Sequence, residues 1–127
     1  MFHPISIPFE SVMLFNIVKL KPDVDFDDVE LALAEMCNVV KNTYGDDDGG
    51  FIAGQVFKYA GFISEQGSVG DTSSEGDHIV IVTYWKSFEQ HEKSHADTIF
   101  LDKFSVLAEL CTETKELGYE LLWQGDN

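Results

Sequence analysis

Basic residues are scarce in this sequence of 127 residues, and their scarcity excludes two classes of partner. Only 8 lysines and arginines stand against 23 acidic residues, which gives a formal net charge of −15. A surface this negative repels phosphate backbones and anionic lipid headgroups. We therefore expect the protein to bind neither nucleic acid nor a membrane.

Cysteine and long apolar runs are scarce as well. Residues 1–8 contain no lysine or arginine and no long apolar run, so they do not resemble a secretory signal. No apolar stretch has the length needed to span a bilayer. The two cysteines, Cys37 and Cys111, fall on apolar stripes of predicted helices, which indicates buried free thiols. Together these features predict a cytoplasmic protein.

Apolar residues are nevertheless abundant enough to fill the core of one domain. They make up 44% of the chain, including 13% aromatic residues, which is typical of a globular protein of this length. Residues 64–77 are rich in Gly and Ser and poor in apolar side chains. We expect a mobile loop there, within a single domain that spans residues 1–127.

The spacing of apolar residues predicts the order β-α-β-β-α-β. Runs of branched and aromatic residues predict strands over 10–20, 51–63, 78–85 and 119–124. Apolar residues at spacings of three and four predict helices over about 26–43 and 97–115, with a short helix after Ser87 between them. This order is typical of the ferredoxin-like α+β fold, an antiparallel sheet with its helices on one face.

Both faces of the predicted sheet are apolar. In strand 78–85, Ile79 and Ile81 point to one side while Val80 and Val82 point to the other. Helices on one face can cover only one of these sides, and a large exposed apolar surface usually marks an interface. We therefore expect two copies to pair sheet to sheet, because symmetric dimers are the commonest oligomers.

The segment from Val82 to His95 carries a resemblance to a known family. Its sequence, VTYWKSFEQHEKSH, ends a strand in a Trp and continues through Ser87 into a short helix with a His. Phe100 and Phe104 follow on the next helix. This pattern resembles the antibiotic biosynthesis monooxygenase superfamily of dimeric α+β barrels, whose element order agrees over roughly residues 10–124.

The resemblance implies a homodimer in which two sheets close face to face into a barrel, with a cavity between sheet and helices in each protomer. Some members oxygenate polycyclic aromatic substrates without metal or flavin, so the implied ligand is small and apolar or aromatic, and no cofactor is implied. Asn16 and His91 would orient or deprotonate this ligand. The implied pocket walls are aromatic: Tyr84, Trp85, Phe100 and Phe104.

Other members of the superfamily degrade haem, using an Asn on the first strand, a Trp on the short helix and an iron-binding His on the next helix. Asn16 falls where that Asn would lie. His91, however, stands near the position of the Trp, and Leu101 or a neighbour replaces the iron-binding His. We therefore predict no haem and no other cofactor.

His91 and His95 suggest chemistry in two further ways. Imidazole titrates near neutral pH, so both side chains are candidates for proton transfer at the rim of a cleft. With Glu92 they also fit the His-Glu-x-x-His pattern of zinc metalloproteases, in which two imidazoles one turn apart bind zinc. Glu113 or Glu116 would then be the third ligand. A zinc-dependent hydrolase is thus one alternative, and a non-catalytic dimeric ligand-binding or stress-related module is another.

Each candidate residue also has a plainer structural explanation. His91 and His95 fit two polar side chains on a solvated helix face, and Asn16 fits a buried amide bonded to the backbone. The aromatic residues fit a core or an interface. Whether Asn16, His91 and His95 face one cavity decides between these interpretations.

Overall fold

A computed structural model describes residues 3–61, 63–70 and 78–126. Residues 71–77 of the predicted loop lie outside the described residues, and the mobility of the loop stays a prediction. Ile63, just before the predicted loop, and Val69, within it, form an isolated antiparallel bridge. None of the helices in the described ranges has the length and hydropathy that a membrane span requires.

The described residues form one antiparallel sheet and three helices. The strands are β1 (Val12–Leu20), β2 (Phe51–Lys58), β3 (His78–Trp85) and β4 (Cys111–Glu120). The helices are α1 (Phe26–Tyr44), α2 (Phe88–Ser94) and α3 (Thr98–Ala108). The strand order across the sheet is β2-β3-β1-β4, with antiparallel pairing throughout. The predicted ferredoxin-like α+β fold is confirmed.

The C-terminal part of the chain differs from the prediction. The helix predicted over 97–115 ends at Ala108, and Cys111 opens a strand instead of lying on a helix. This strand, β4, pairs along the whole of β1, so the strand predicted over 119–124 was placed too late in the chain. Pairing with β1 outweighs the helix propensity of the Glu- and Lys-rich segment. Strand β2 is also shorter than predicted and ends at Lys58.

Side-chain caps fix where the helices begin. Asp25 caps α1, and the Ser87 hydroxyl accepts a hydrogen bond of 3.2 Å from the backbone N–H of Gln90 at the start of α2. Asp97 caps α3 and accepts a bond of 2.8 Å from the backbone N–H of Ile99. Each cap satisfies a backbone donor that has no partner inside the helix. The break between α2 and α3 leaves His91 on α2 and His95 at the C-cap of this short helix.

The core lies between the helices and one face of the sheet. Its most deeply buried members are Val18, Val29, Trp85 and Leu107, each at most 1% exposed. The same cluster includes β1, β3, α1 and α3 residues, namely Leu14, Leu20, Ala32, Met36, Val40, Ile79, Ile81 and Phe100. A hydrogen bond of 2.7 Å from the Tyr44 hydroxyl to Asp97 joins the end of α1 to the start of α3.

The opposite face of the sheet points away from this core, and we call it the open face. The strand register places Phe15 between Val82 and Leu117 on it. Phe57 and Tyr119 lie nearer its edges and are 49% and 46% exposed. The expectation that β1 and β3 have two apolar faces is therefore confirmed. The residues predicted to extend these faces at the end of the chain, Leu121, Leu122 and Trp123, instead follow β4 outside the sheet.

Candidate functional site

A cavity of about 1100 Å³ lies between the helices and the sheet. Its walls include four aromatic side chains, Phe51, Trp85, Phe100 and Phe104. Polar residues also line it, among them Asn16, His91, His95 and Glu116, and two lysines, Lys41 and Lys115, lie on its border as well. A cavity of this size can hold a small organic molecule, since ligand pockets typically measure roughly 300–1,000 Å³.

The structure brings together all but one of the site residues predicted from the sequence. The residues that line the cavity are Asn16, Trp85, His91, His95, Phe100 and Phe104. Tyr84 belongs to the open face, because successive side chains of a strand point to opposite faces and Trp85 points into the core. Its hydroxyl donates a hydrogen bond of 3.2 Å to Gln55. The expectation that Tyr84 forms a pocket wall is thereby corrected.

His91, His95 and Glu116 form a compact cluster, which we call the His–Glu–His triad. The Oε1 atom of Glu116 lies 3.4 Å from Nε2 of His91 and 3.2 Å from Nε2 of His95. The two Nε2 atoms are 3.1 Å apart. One carboxylate oxygen and two imidazole nitrogens therefore converge on a single point. Two histidines that merely occupied a solvated helix face would have no reason to meet a carboxylate from another strand.

The triad lies at the border between the cavity and solvent. The His91 side chain is 12% exposed, that of Glu116 is 31% exposed and that of His95 is 45% exposed. His91 is thus the buried member and His95 the outer one. A ligand in the cavity would meet His91 first.

Aromatic rings hold both imidazoles in place. The His91 ring packs edge-on against Trp85, with centroids 5.2 Å apart, and the His95 ring packs against Phe100 at 5.5 Å. Trp85 is itself fixed, because its indole N–H donates a hydrogen bond of 2.9 Å to the Thr83 hydroxyl. These contacts restrict the ring rotamers, so the site is preorganised.

Asn16 connects the triad to the centre of the sheet. It lies opposite Ile81 on β3 and opposite Glu116 on β4. Its side-chain amide donates a hydrogen bond of 3.2 Å to the Ile81 carbonyl, and its interaction with Glu116 contributes to the lowered pKa of that carboxyl. Asn16 is therefore both a backbone-bonded amide and a residue that orients the site.

The surroundings of Glu116 keep it ionised. Burial raises the pKa of this carboxyl. The hydrogen bond from His91, the charges of His91 and His95 and the interaction with Asn16 together lower the pKa by more than burial raises it. The net result is a pKa below its ordinary value of 4.5. At neutral pH the triad therefore contains a carboxylate that stabilises a positive charge on either imidazole.

The chemistry available to this arrangement follows from its atoms. An imidazole beside a carboxylate can accept a proton from a ligand and keep the resulting charge stabilised. The triad also has the composition of a metal site, since its ligand atoms all lie within 4.8 Å of one another. Of the two carboxylates considered from the sequence, Glu116 joins the histidines, whereas Glu113 forms an ion pair of 3.7 Å with Lys19.

No family model matches this chain, and no curated protein matches it. Solved structures do match. The cofactor-independent oxygenase SnoaB from Streptomyces nogalater is similar with a TM-score of 0.65 and 10% identity, over 91% of this chain and 96% of that chain. The hydroxynitrile lyase from Passiflora edulis also has a TM-score of 0.65 at 10% identity, over 94% of this chain and 100% of that chain.

A third solved structure is also similar. It is a dimeric ferredoxin-like protein of unknown function from Thermobifida fusca, with a TM-score of 0.63 and 8% identity over 94% of this chain and 100% of that chain. At such identities the similarities establish a shared fold. The chain thus has the ferredoxin-like α+β fold that these proteins share, as the resemblance of its sequence implied.

Proposed function

We propose that this protein is a cofactor-independent, monooxygenase-like enzyme that binds a small apolar or aromatic molecule in the cavity. The observation that carries the proposal is the position of the His–Glu–His triad beside an aromatic-walled cavity. Aromatic walls favour a flat apolar ligand, and the triad gives that ligand one polar end. A cofactor-independent oxygenase and a hydroxynitrile lyase have the same fold, which supports an enzymatic role for such a cavity.

The triad would act by removing a proton from an acidic C–H or O–H group of the ligand. The proton passes to the imidazole of His91, and Glu116, 3.4 Å from this ring, stabilises the resulting imidazolium. Asn16 lies opposite Glu116 on the neighbouring strand. The ligand is left as an electron-rich anion, which dioxygen as co-substrate can oxidise. An acidic methylene becomes a carbonyl with one oxygen atom of O2, and the other oxygen leaves as water with the two hydrogens, so no external reductant is needed.

Binding can be tested through the fluorescence of Trp85. The chain contains two tryptophans, and Trp123 is 80% exposed whereas Trp85 is 1% exposed and lines the cavity. In a Trp123→Phe background, 4-nitrophenol should quench Trp85 saturably. The ether 4-nitroanisole should bind about tenfold more weakly, because it cannot donate a hydrogen bond to a charged group, which is worth roughly 1.5–3 kcal/mol.

Substitutions in the triad decide whether this discrimination arises there. Glu116→Gln should remove the preference for the phenol, while Glu113→Gln on the same strand should retain it. Both titrations are run in EDTA, so that metal plays no part. Unsaturable quenching, or equal affinities for the phenol and the ether in the protein with Glu116 intact, would contradict the proposed site.

Turnover is tested separately with anthrone, a polycyclic aromatic compound with an acidic methylene. Oxygen uptake in EDTA should depend on the protein and fall in His91→Gln, with the Glu113→Gln protein as the matched control. Saturable binding of 4-nitrophenol without any oxygen uptake across a panel of such compounds would reduce the function to ligand binding. The roomy cavity and its convergent polar groups do not favour that non-catalytic alternative.

We further infer that two copies of the chain pair through the open face. Phe15, Ile17 and Val80 are half-buried apolar residues at the centre of this face, and Val82, opposite Phe15, is already buried. A dimeric protein with the same fold supports this assembly.

The free thiols Cys37 and Cys111 fit a reducing compartment, so we propose that the protein acts in the cytoplasm.

Zinc-dependent hydrolysis is only weakly supported, although the His–Glu–His triad is well defined. In the His-Glu-x-x-His pattern the Glu beside the first His activates water at the metal. Here Glu92 is exposed, and it is Glu116 from β4 that meets the two imidazoles. Metal binding by the triad is therefore a question separate from zinc-dependent hydrolysis.

A further inference from the structure

We infer that the His–Glu–His triad binds a divalent transition-metal ion of the Zn²⁺ or Co²⁺ type. The ligands would be Nε2 of His91, Nε2 of His95 and a carboxylate oxygen of Glu116. This inference goes beyond the proposed function, because ion binding requires no organic ligand and the cavity can bind one without an ion.

The spacing of the three atoms fits a single ion. They form a nearly equilateral triangle with sides of 3.1, 3.4 and 3.2 Å. Zinc binds imidazole nitrogen at about 2.0–2.1 Å in tetrahedral geometry, which separates neighbouring ligand atoms by roughly 3.3–3.4 Å. An ion placed over this triangle would therefore reach all three atoms with only small adjustments of the side chains.

The chemistry of the ligands fits as well. Imidazole suits zinc, copper, iron and nickel, and sites with two histidines and one carboxylate keep coordination positions open. Here the open position would face the cavity, because all three residues line it.

The surroundings supply the support that metal ligands usually require. Asn16 lies opposite Glu116 on the neighbouring strand and is fixed by its hydrogen bond to the Ile81 carbonyl, and polar groups beside metal ligands orient them and contribute to metal affinity. Trp85 and Phe100 pack against the two imidazole rings. The ligands are therefore held close to the binding geometry before an ion arrives, which lowers the cost of binding.

Metal binding and proton abstraction would be two alternative states of the same atoms. Without an ion, His91 accepts the ligand's proton itself. With an ion, the lone pair of His91 is occupied, and a ligand hydroxyl at the open position is made more acidic by the metal. The same class of ligand suits both states. A chelator would favour the metal-free state and would remove the metal-bound state.

The test uses full-length, untagged protein freed of metal with EDTA and then dialysed. Co²⁺ is titrated and followed by its visible absorption, which distinguishes tetrahedral from octahedral coordination, and Zn²⁺ is titrated calorimetrically. We expect one ion per chain. Glu116→Gln should weaken binding by at least about 100-fold, because the loss of a ligand should cost no less than the roughly 10–100-fold loss caused by removing an outer contact.

Two matched variants control for adventitious binding. Glu113→Gln removes a carboxylate from the same strand, and His78→Gln removes an imidazole from the other face of the sheet; neither should change the affinity by more than about twofold, since neither supplies a ligand. Circular dichroism confirms that each variant is folded. The inference is overturned if the wild type shows no saturable binding, if Glu116→Gln matches Glu113→Gln, or if His78→Gln weakens binding as much as His95→Gln.

Discussion

Replacing Phe57 by alanine tests the proposed pairing of two copies through the open face. Phe57 lies on β2 opposite Val80 and is 49% exposed. Full burial of a Phe side chain is worth about 1.5–3 kcal/mol, so the exposed half can contribute roughly 1 kcal/mol when a second copy covers it. A two-fold interface contains the residue twice, so the loss is about 2 kcal/mol, or roughly a 30-fold higher Kd for the dimer.

Sedimentation velocity over a range of protein concentrations measures this Kd. The matched control is Leu31→Ala on α1, because Leu31 is also an exposed apolar residue, at 69%, but belongs to the helical layer. We expect Leu31→Ala to leave the dimer unchanged. A wild-type protein that remains monomeric at all concentrations, or equal effects of the two substitutions, would contradict pairing through the open face.

Three further predictions concern the ionisation, packing and thiols of the folded chain. Folding lowers the pKa of Glu116, so its ionised form stabilises the native state above pH 4.5 and this contribution is lost as the pH falls through the lower, folded value. Urea denaturation should therefore show that Glu116→Gln destabilises the protein more above pH 4.5 than at pH values below the folded pKa of Glu116, and a difference that is independent of pH would contradict this. Leu107→Ala should cost about 2–5 kcal/mol of unfolding free energy because Leu107 is 0% exposed, whereas Ile99→Ala on the exposed side of α3 should cost far less. Burial raises the pKa of the Cys37 and Cys111 thiols, so iodoacetamide at pH 7 should label both slowly until the chain is unfolded, and rapid labelling of native protein would contradict their burial.

The central elements of the fold were predictable because local signals and burial agree there. Asp25 caps α1 at the predicted position, and β3 has the predicted bounds. Both β1 and β3 are central strands with apolar residues on each face. In such elements periodicity, propensity and tertiary contacts all favour the same structure.

The end of the chain was not predictable in the same way. Residues 111–120 contain Glu and Lys, which favour helices, and Leu107 and Cys111 continue a helical spacing. Residues 111–120 form β4 at the edge of the sheet. This strand depends on hydrogen bonds to β1, and no local sequence pattern reveals them. The prediction therefore extended α3 too far.

The same error obscured the candidate site. His91 and His95 could be chosen from their spacing, and Asn16 from its place in an apolar strand. Glu116 was one of two possible third ligands, and only the register of β4 against β1 places it opposite Asn16 and beside both imidazoles. Tyr84 was misplaced because an apolar residue on a strand with two apolar faces can belong to either one.

We expect a small ligand to bind in the cavity with its polar group at the His–Glu–His triad. A ¹H–¹⁵N NMR titration of metal-free protein with 4-nitrophenol tests this binding, because the Trp85 indole and the imidazoles of His91 and His95 can be observed together. The structure predicts that these signals shift and saturate with one Kd, while the indole of the exposed Trp123 does not move. Shifts at Trp123 or along the open face, with both imidazoles unchanged, would contradict binding at the triad.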